Sequence, residues 1–442
     1  MPDRTERRPL PAALTAAYES LVAEHLAFLL DQYERDPDCP YAKAKVDAVT
    51  GEAFGTPADA GTFRAGDVLF GWVQGRAMEA LAGHVRWLGQ AQTLDADRAA
   101  ALGRRSREAL VRLVPALQAL RERSSGRMSF MMRADGTPLR LDAERKLEAF
   151  EEIDGAANFS DLFFAKGLAA AGQCLDDAAM LRAGTRAFEQ VVDAIEAERF
   201  VSDLVPLNPR STPSIRPGRR EHGPAMISLG GMALLLAGDE AVAWADRGAG
   251  TIGRILDRHV NTGQHAGLER FDFTEFLDEA GQAWEEDGAV LCDPGHGLEF
   301  VGLTAKFFLE AERLGVTSAR LEQTRGRSQE MLPPLLTHLF AGGFNQRGKG
   351  IHRSVDLKSR QPINSDMPWW NLPETIRAAV LTGRLCPEAD AAALEDVRAR
   401  THDAFFNHYL NPACHRLPVP IREADGTVAD RFPGFPDVDP GY

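Results

Sequence analysis

The chain has 442 residues, 44% hydrophobic and 26% charged, with a formal net charge of −14. That composition can fill a sizeable core and excludes a disordered chain. An acidic balance without a basic face excludes a phosphate-backbone binder, so no nucleic-acid partner is expected.

Near the N-terminus, Arg4, Arg7 and Arg8 are not followed by an apolar signal region, and the longest apolar run, around Met232 to Ala237, is too short to span a bilayer. No membrane partner is expected. Amphipathic periodicity of three to four residues predicts helices over 11–35, 67–92, 96–122, 159–175, 178–200, 223–237, 239–260, 296–314, 317–341, 369–383 and 388–409. Helix starts are expected at Ser160-Asp161, Asp293-Pro294 and Pro387-Glu388, and stops at Gly238, Gly315 and Gly383. Between helix pairs, 128–138 and 417–427 each read as a strand, an Asp-Gly turn and a return. An Asp-Gly pair there predicts a type I′ turn. A weaker strand candidate is 350–356.

Eleven helices without a long Gly, Ser or Pro linker predict one all-α domain over 1–442, an (α/α) barrel with hairpins rimming a central cavity, preceded by a flexible tail over 1–10. The proline-rich loop Asp203 to Gly223, carrying Arg216, Arg219 and Arg220, is either a mobile flap or an ordinary surface connection. The five cysteines (Cys39, Cys174, Cys292, Cys386, Cys414) show no CxxC or Cys/His ligand spacing. A reducing cytoplasm fits them, and neither metal nor cofactor is expected.

The residues suited to chemistry gather in two segments. In Asp293-Pro294-Gly295-His296-Gly297-Leu298-Glu299, Asp293 fits an N-cap, Pro294 the first helical position, and His296 and Glu299 share a face. A helix N-terminus disfavours positive charge, so His296 is expected to stay neutral near pH 7 and to serve as a base. It is equally compatible with a histidine that only packs at a helix start. In Trp369-Trp370-Asn371-Leu372-Pro373-Glu374, a tryptophan could face a sugar or simply fill the core. Arg76, in Trp72-Val73-Gln74-Gly75-Arg76, sits in an apolar helix and must find partners. His222 reads as a lone solvated loop histidine. No Walker, GxSxG, HExxH, Rossmann or EF-hand pattern occurs.

Together these motifs resemble the N-acylglucosamine 2-epimerase family, which includes cellobiose 2-epimerases and mannose isomerases, from about Phe63 onward. The carriers are Trp72 through Arg76, Pro224-Ala225-Met226-Ile227-Ser228-Leu229, Pro294 through Glu299, and Trp369-Trp370 through Glu374. The resemblance implies an (α/α)6 barrel and proton transfer at C2 of a ring-opened sugar through an enediol-like intermediate. His296 would be the acid/base, Arg76 would polarise the carbonyl oxygen, and Glu299 and Glu374 would orient His296 or sugar hydroxyls. Trp369, Trp370, Trp72 and Met226 would contact the substrate.

The sequence departs from the family pattern in two places. Gly302 stands where a tryptophan is usual, which is expected to widen or reshape the pocket. The family's second catalytic histidine and closing helix have no counterpart up to Tyr442; His408 and His415 are not in that context. A non-catalytic sugar-binding barrel, and a lyase or hydrolase on the same fold, are the competing readings. A sugar is the expected small-molecule partner, and a homodimer is left open.

Overall fold

In the computed structural model, which describes residues 10–42, 46–52, 54–55, 60–141, 146–149, 156–201 and 218–429, the chain resolves into two compact units. The tail over 1–9, residues 202–217 of the proline-rich loop, and the segment after Ala429 lie outside the described residues. Among the described residues, the first unit comprises those from 10 to 201 with Asn411–Leu417. Its helices are α1 (Ala12–Glu34), α2 (Gly71–Leu88), α3 (Ala96–Arg123), α4 (Phe159–Cys174) and α5 (Ala178–Glu196). Helix α4 is buried on all sides from Ser160 to Gly172, as a helix apolar around its whole circumference must be. It meets α2 backbone to backbone. A Cβ on Gly75 would fall 2.6 Å from the Phe163 carbonyl carbon, and one on Gly167 would strike the Gly75 oxygen.

Helices α3 and α5 are amphipathic and lie outside this pair, each showing one apolar stripe to the core. Helix α1 is long and apolar enough to cross a membrane by composition. Here it packs Leu26, Leu30 and Tyr33 against Leu102 and Ala109 of α3. Four antiparallel strands complete the unit in the order β1 (Val68–Phe70), β2 (Met131–Arg133), β3 (Pro138–Leu141) and β4 (Leu147–Ala149).

Among the described residues, the second unit comprises those from 218 to 410 and from 418 to 429. It runs β5 (Arg220–Glu221), α6 (Gly223–Leu235), α7 (Ala241–Arg258), β6 (Phe276–Leu277), β7 (Glu285–Glu286), β8 (Ala289–Cys292), α8 (Pro294–Leu314) and α9 (Ala319–Gly343). There follow β9 (Phe344–Asn345), β10 (Gly350–Ile351), β11 (Ser354–Asp356), β12 (Pro362–Asn364), α10 (Asn371–Leu385), α11 (Ala391–Ala404) and a π-helical turn, Phe405–Tyr409. Buried α6, α8 and α10 form its inner layer, with α8 packed between the other two. Gly295 sits against the Asn371 side chain, and Gly302 against Arg377 and Ala378.

All eleven predicted helices are present, with ends moved by a few residues. Asp293 caps α8 as expected, its carboxylate accepting the His296 N–H at 3.2 Å, and Gly315 ends α8 in the left-handed region at φ 70°. The cap of α4 is Asn158 rather than Ser160-Asp161, because its amide oxygen reaches the Asp161 N–H at 2.8 Å. The cap of α11 is Asp390, downstream of Pro387-Glu388. Gly383 lies inside α10 rather than ending it.

Both Asp-Gly hairpins exist, but neither turn is type I′. Only the glycines take positive φ, 94° at Gly136 and 93° at Gly426. Arg133 accepts from Gly136 N–H and donates to Thr137 O, and Glu423 does the same with Gly426 and Thr427. These are three-residue loops, a type I turn closed by a left-handed glycine.

Candidate active site

Three segments of the second unit place two imidazoles on one carboxylate. Strand β5 pairs antiparallel with β6, Glu221 opposite Phe276, which brings His222 beside Glu275. The Glu275 N–H is tied to Leu291 O at 2.9 Å, which sets Glu275 beside β8, the strand leading into α8. His296, in the first turn of α8, approaches the same carboxylate. Glu275 Oε1 lies 2.8 Å from His296 Nδ1, and Oε2 lies 3.1 Å from His222 Nε2. An ionised carboxylate only accepts, so both ring nitrogens donate to it. Behind this pair, the His222 ring meets His259 at 5.0 Å and Phe273 at 4.6 Å.

His222 is 1% exposed and Glu275 6%, so neither can exchange its partner for water. The His296 side chain is 30% exposed. With Nδ1 committed to Glu275, Nε2 is the nitrogen left to meet a ligand. Asp293 adds a second carboxylate, with Oδ2 at 3.4 Å from His296 Nδ1, and is itself paired with Arg353. Glu299, one turn further along α8, and Glu221 on β5 add negative potential at His296.

The charge state follows from these neighbours. Burial works against an imidazolium at His296, but the Glu275 charge and hydrogen bond, helped by Glu299 and Glu221, raise it to about 9. The expectation of a neutral His296 is therefore reversed. The helix terminus offers only about half a unit charge, whereas Glu275 is a full charge at hydrogen-bond distance. Burial alone would raise the Glu275 carboxyl, yet the two imidazoles hold it well below the usual range. The Glu221 carboxyl is pushed up, first by desolvation and then by the Glu275 charge. His259, wholly enclosed, is driven down to about 3 by desolvation, and its Nδ1–H donates to Thr274 O at 2.8 Å.

His222 is thus a buried partner of the site, not a solvated loop residue, and Glu275 and Arg353 join without having been anticipated. The sequence did carry a trace of Glu275, an acid inside the apolar run Phe273-Thr274-Glu275-Phe276-Leu277. The three-segment cluster of His222, Glu275 and His296 has its ligand atoms within 4.8 Å of one another, a metal-capable arrangement that a search for local Cys/His spacing cannot find.

The remaining candidates have other partners. Glu374 is buried and forms an ion pair with Arg377 one turn along α10. The room left by Gly302 is taken by the same arginine, whose Nε lies 3.2 Å from where a Cβ would stand; the expected widening is filled by a cation. Trp369 stacks with Phe405 at 6.5 Å, and Trp370 precedes α10 half-buried. Met226 is 1% exposed within α6. In the first unit, the Arg76 guanidinium lies 4.5 Å over the Phe163 ring. Trp72 packs edge-on against Phe130, Phe159 and Phe163 at 5.1, 5.2 and 5.6 Å.

Residues 140–433 match the family profile described as N-acylglucosamine 2-epimerase (GlcNAc 2-epimerase). That span holds the whole His222–Glu275–His296 cluster and Trp369 to Glu374, while Trp72 and Arg76 precede it. No curated protein matches the chain. Among solved structures, a sugar epimerase from a ruminal bacterium superposes with a TM-score of 0.61 at 12% identity, over 93% of this chain and 92% of that one. A cellobiose 2-epimerase from Spirochaeta thermophila DSM 6192 gives 0.59 at 14%, over 96% and 93%, and a D-mannose isomerase gives 0.57 at 13%, over 92% of each. At such identities the likeness carries the fold, the (α/α)6-barrel class with short rimming hairpins.

Proposed function

The chain belongs to the N-acylglucosamine 2-epimerase family, and from that premise we propose that it is a sugar 2-epimerase or aldose–ketose isomerase working through His296. The observation that carries the reading is the His296 imidazole, gripped at Nδ1 by a buried carboxylate and 30% exposed. A held ring with one free nitrogen is what α-proton abstraction requires.

With its proton held up to about 9, His296 meets the substrate as an imidazolium at neutral pH. It first gives the Nε2 proton to the ring oxygen as the C1–O ring bond breaks, the anomeric hydroxyl losing its proton to solvent water as the carbonyl forms, and is then a neutral base beside that carbonyl. It takes the C2 proton, and the C–H electron pair moves into an enediol-like intermediate. Rotation about the C2–C3 bond turns the other face of C2 towards the imidazolium, which returns its proton there to give the epimer; delivery to C1 gives the ketose. Glu275 stabilises each imidazolium as it forms.

Arg76, whose guanidinium lies over the Phe163 ring, is our candidate for polarising the carbonyl oxygen. The substrate class is an N-acylglucosamine, N-acylmannosamine or mannose-type monosaccharide, with Trp369 and Trp370 as apolar platforms. Five free cysteines support a cytoplasmic setting.

The test is proton NMR in D2O with glucose, mannose, N-acetylglucosamine, N-acetylmannosamine and cellobiose. One of these should lose its C2 signal with the wild-type protein and keep it with His296→Ala, whose circular dichroism should be unchanged. Exchange by His296→Ala at the wild-type rate would refute the mechanism.

A further inference from the structure

The cluster that holds His296 is also a set of metal donors. We infer that His222 Nε2, Glu275 and His296 Nδ1 form a binding site for a divalent transition cation of the zinc class, and that its occupation switches the site off. The inhibitory consequence rests on the function proposed for His296; the binding does not.

Geometry comes first. Around a tetrahedral ion with bonds of about 2.1 Å, neighbouring donor atoms stand about 3.4 Å apart. Here Glu275 lies 2.8 Å from His296 Nδ1 and 3.1 Å from His222 Nε2. Asp293 Oδ2, a possible fourth donor, lies 3.4 Å from His296 Nδ1. Opening the 2.8 and 3.1 Å contacts to about 3.4 Å, by about 0.6 and 0.3 Å, makes room for the ion.

Charge comes next. The carboxylates of Glu221, Glu275, Asp293 and Glu299 surround His296, while Arg353 is paired with Asp293. When His296 is neutral, this leaves an excess of negative charge for a cation to neutralise. Two imidazoles and a carboxylate select zinc, cobalt, nickel or copper over magnesium and calcium, which prefer all-oxygen sets.

The donors are also pre-positioned. His222 and Glu275 are almost wholly buried, the β5–β6 pairing sets their two segments side by side, and the Asp293 cap fixes the first turn of α8. A cation bound here displaces the Nδ1 proton of His296 to solvent, shifts the His222 proton from Nε2 to Nδ1, neutralises Glu275 and removes the carboxylate that stabilises the imidazolium. Sugar turnover then stops until the metal leaves.

The experiment uses the full chain after dialysis against a chelator, titrated with Co2+ and followed by its visible absorption, with Zn2+ as competitor. The expected result is one saturable equivalent with four-coordinate intensity, weakened about 100-fold in His222→Ala and in Glu275→Gln, both checked for folding by circular dichroism. No saturable binding, or unchanged affinity in a folded variant, overturns the inference. Should both variants fail to fold, X-ray absorption at the zinc edge of the wild-type protein decides. Two imidazoles in the shell support the site, and sulfur or an all-oxygen shell refutes it.

A second arm follows C2 exchange in D2O with and without one equivalent of Zn2+. Wild-type exchange should cease and return with chelator, whereas full exchange by the zinc-saturated protein overturns the switching claim. If no sugar exchanges even without metal, the functional reading fails while the isotherm still decides the site.

Discussion

Glu275 decides what His296 can do. A buried carboxylate with two donors is costly to protonate and costly to leave half-satisfied, so it keeps its charge and passes that constraint to both rings. In chelator-treated protein, Glu275→Gln should bring the His296 pKa down from about 9, read from its ring-proton shifts across pH. It should also slow C2 exchange about 100-fold. An unchanged titration would mean that another carboxylate sets the charge of His296. The sequence shows His296 and its cap because both lie within four residues at a helix start. It does not show Glu275 or His222, because the three segments meet only through a strand pairing that bridges 53 and 21 residues. The protonation state of His296 is hidden from the sequence for the same reason: local spacing sees the helix terminus but not the carboxylate across from it.

At the level of elements, the helices were legible from their period, and the turns only in part. An Asp-Gly pair announces a reversal, but which residue takes positive φ depends on the loop length that strand register imposes. Glycine spacing carried a message that periodicity misses. In α4, Gly167→Ala would push a methyl group into the Gly75 oxygen and against Met78 Cβ at 2.9 Å, and should destabilise by about 1–3 kcal/mol. In α7, Gly253 has nothing within 4 Å of a Cβ, and Gly253→Ala should stabilise by up to about 1 kcal/mol. Urea midpoints of the two variants should move in opposite directions; a shared direction would mean that the α2–α4 contact is not close. Gly302 is a third case: the sequence shows a missing tryptophan, but only the packing of α10 on α8 shows Arg377 in its place.

For the whole molecule, acid should be the sensitive side. His84 lines an apolar recess of about 480 Å³, open to solvent, with Leu26, Leu30, Tyr33, Leu81 and Leu113. Burial lowers it to about 4, from 6.5 in an exposed chain. The folded state therefore binds fewer protons than the unfolded state between these values. Its contribution is complete above pH 6.5 and is lost as pH falls through that window towards 4. His84→Leu should flatten the decline of the urea midpoint between pH 6.5 and 4.5, and an unaltered slope would place the acid sensitivity in other groups. The enclosure of α4 also has a consequence in time. Amides from Leu162 to Ala171 have neighbours on every side, so deuterium reaches them only when the unit around them opens. The rate at which that peptide gains mass is then a clock for the opening of the first unit. It can be read with no ligand, no turnover and no mutation.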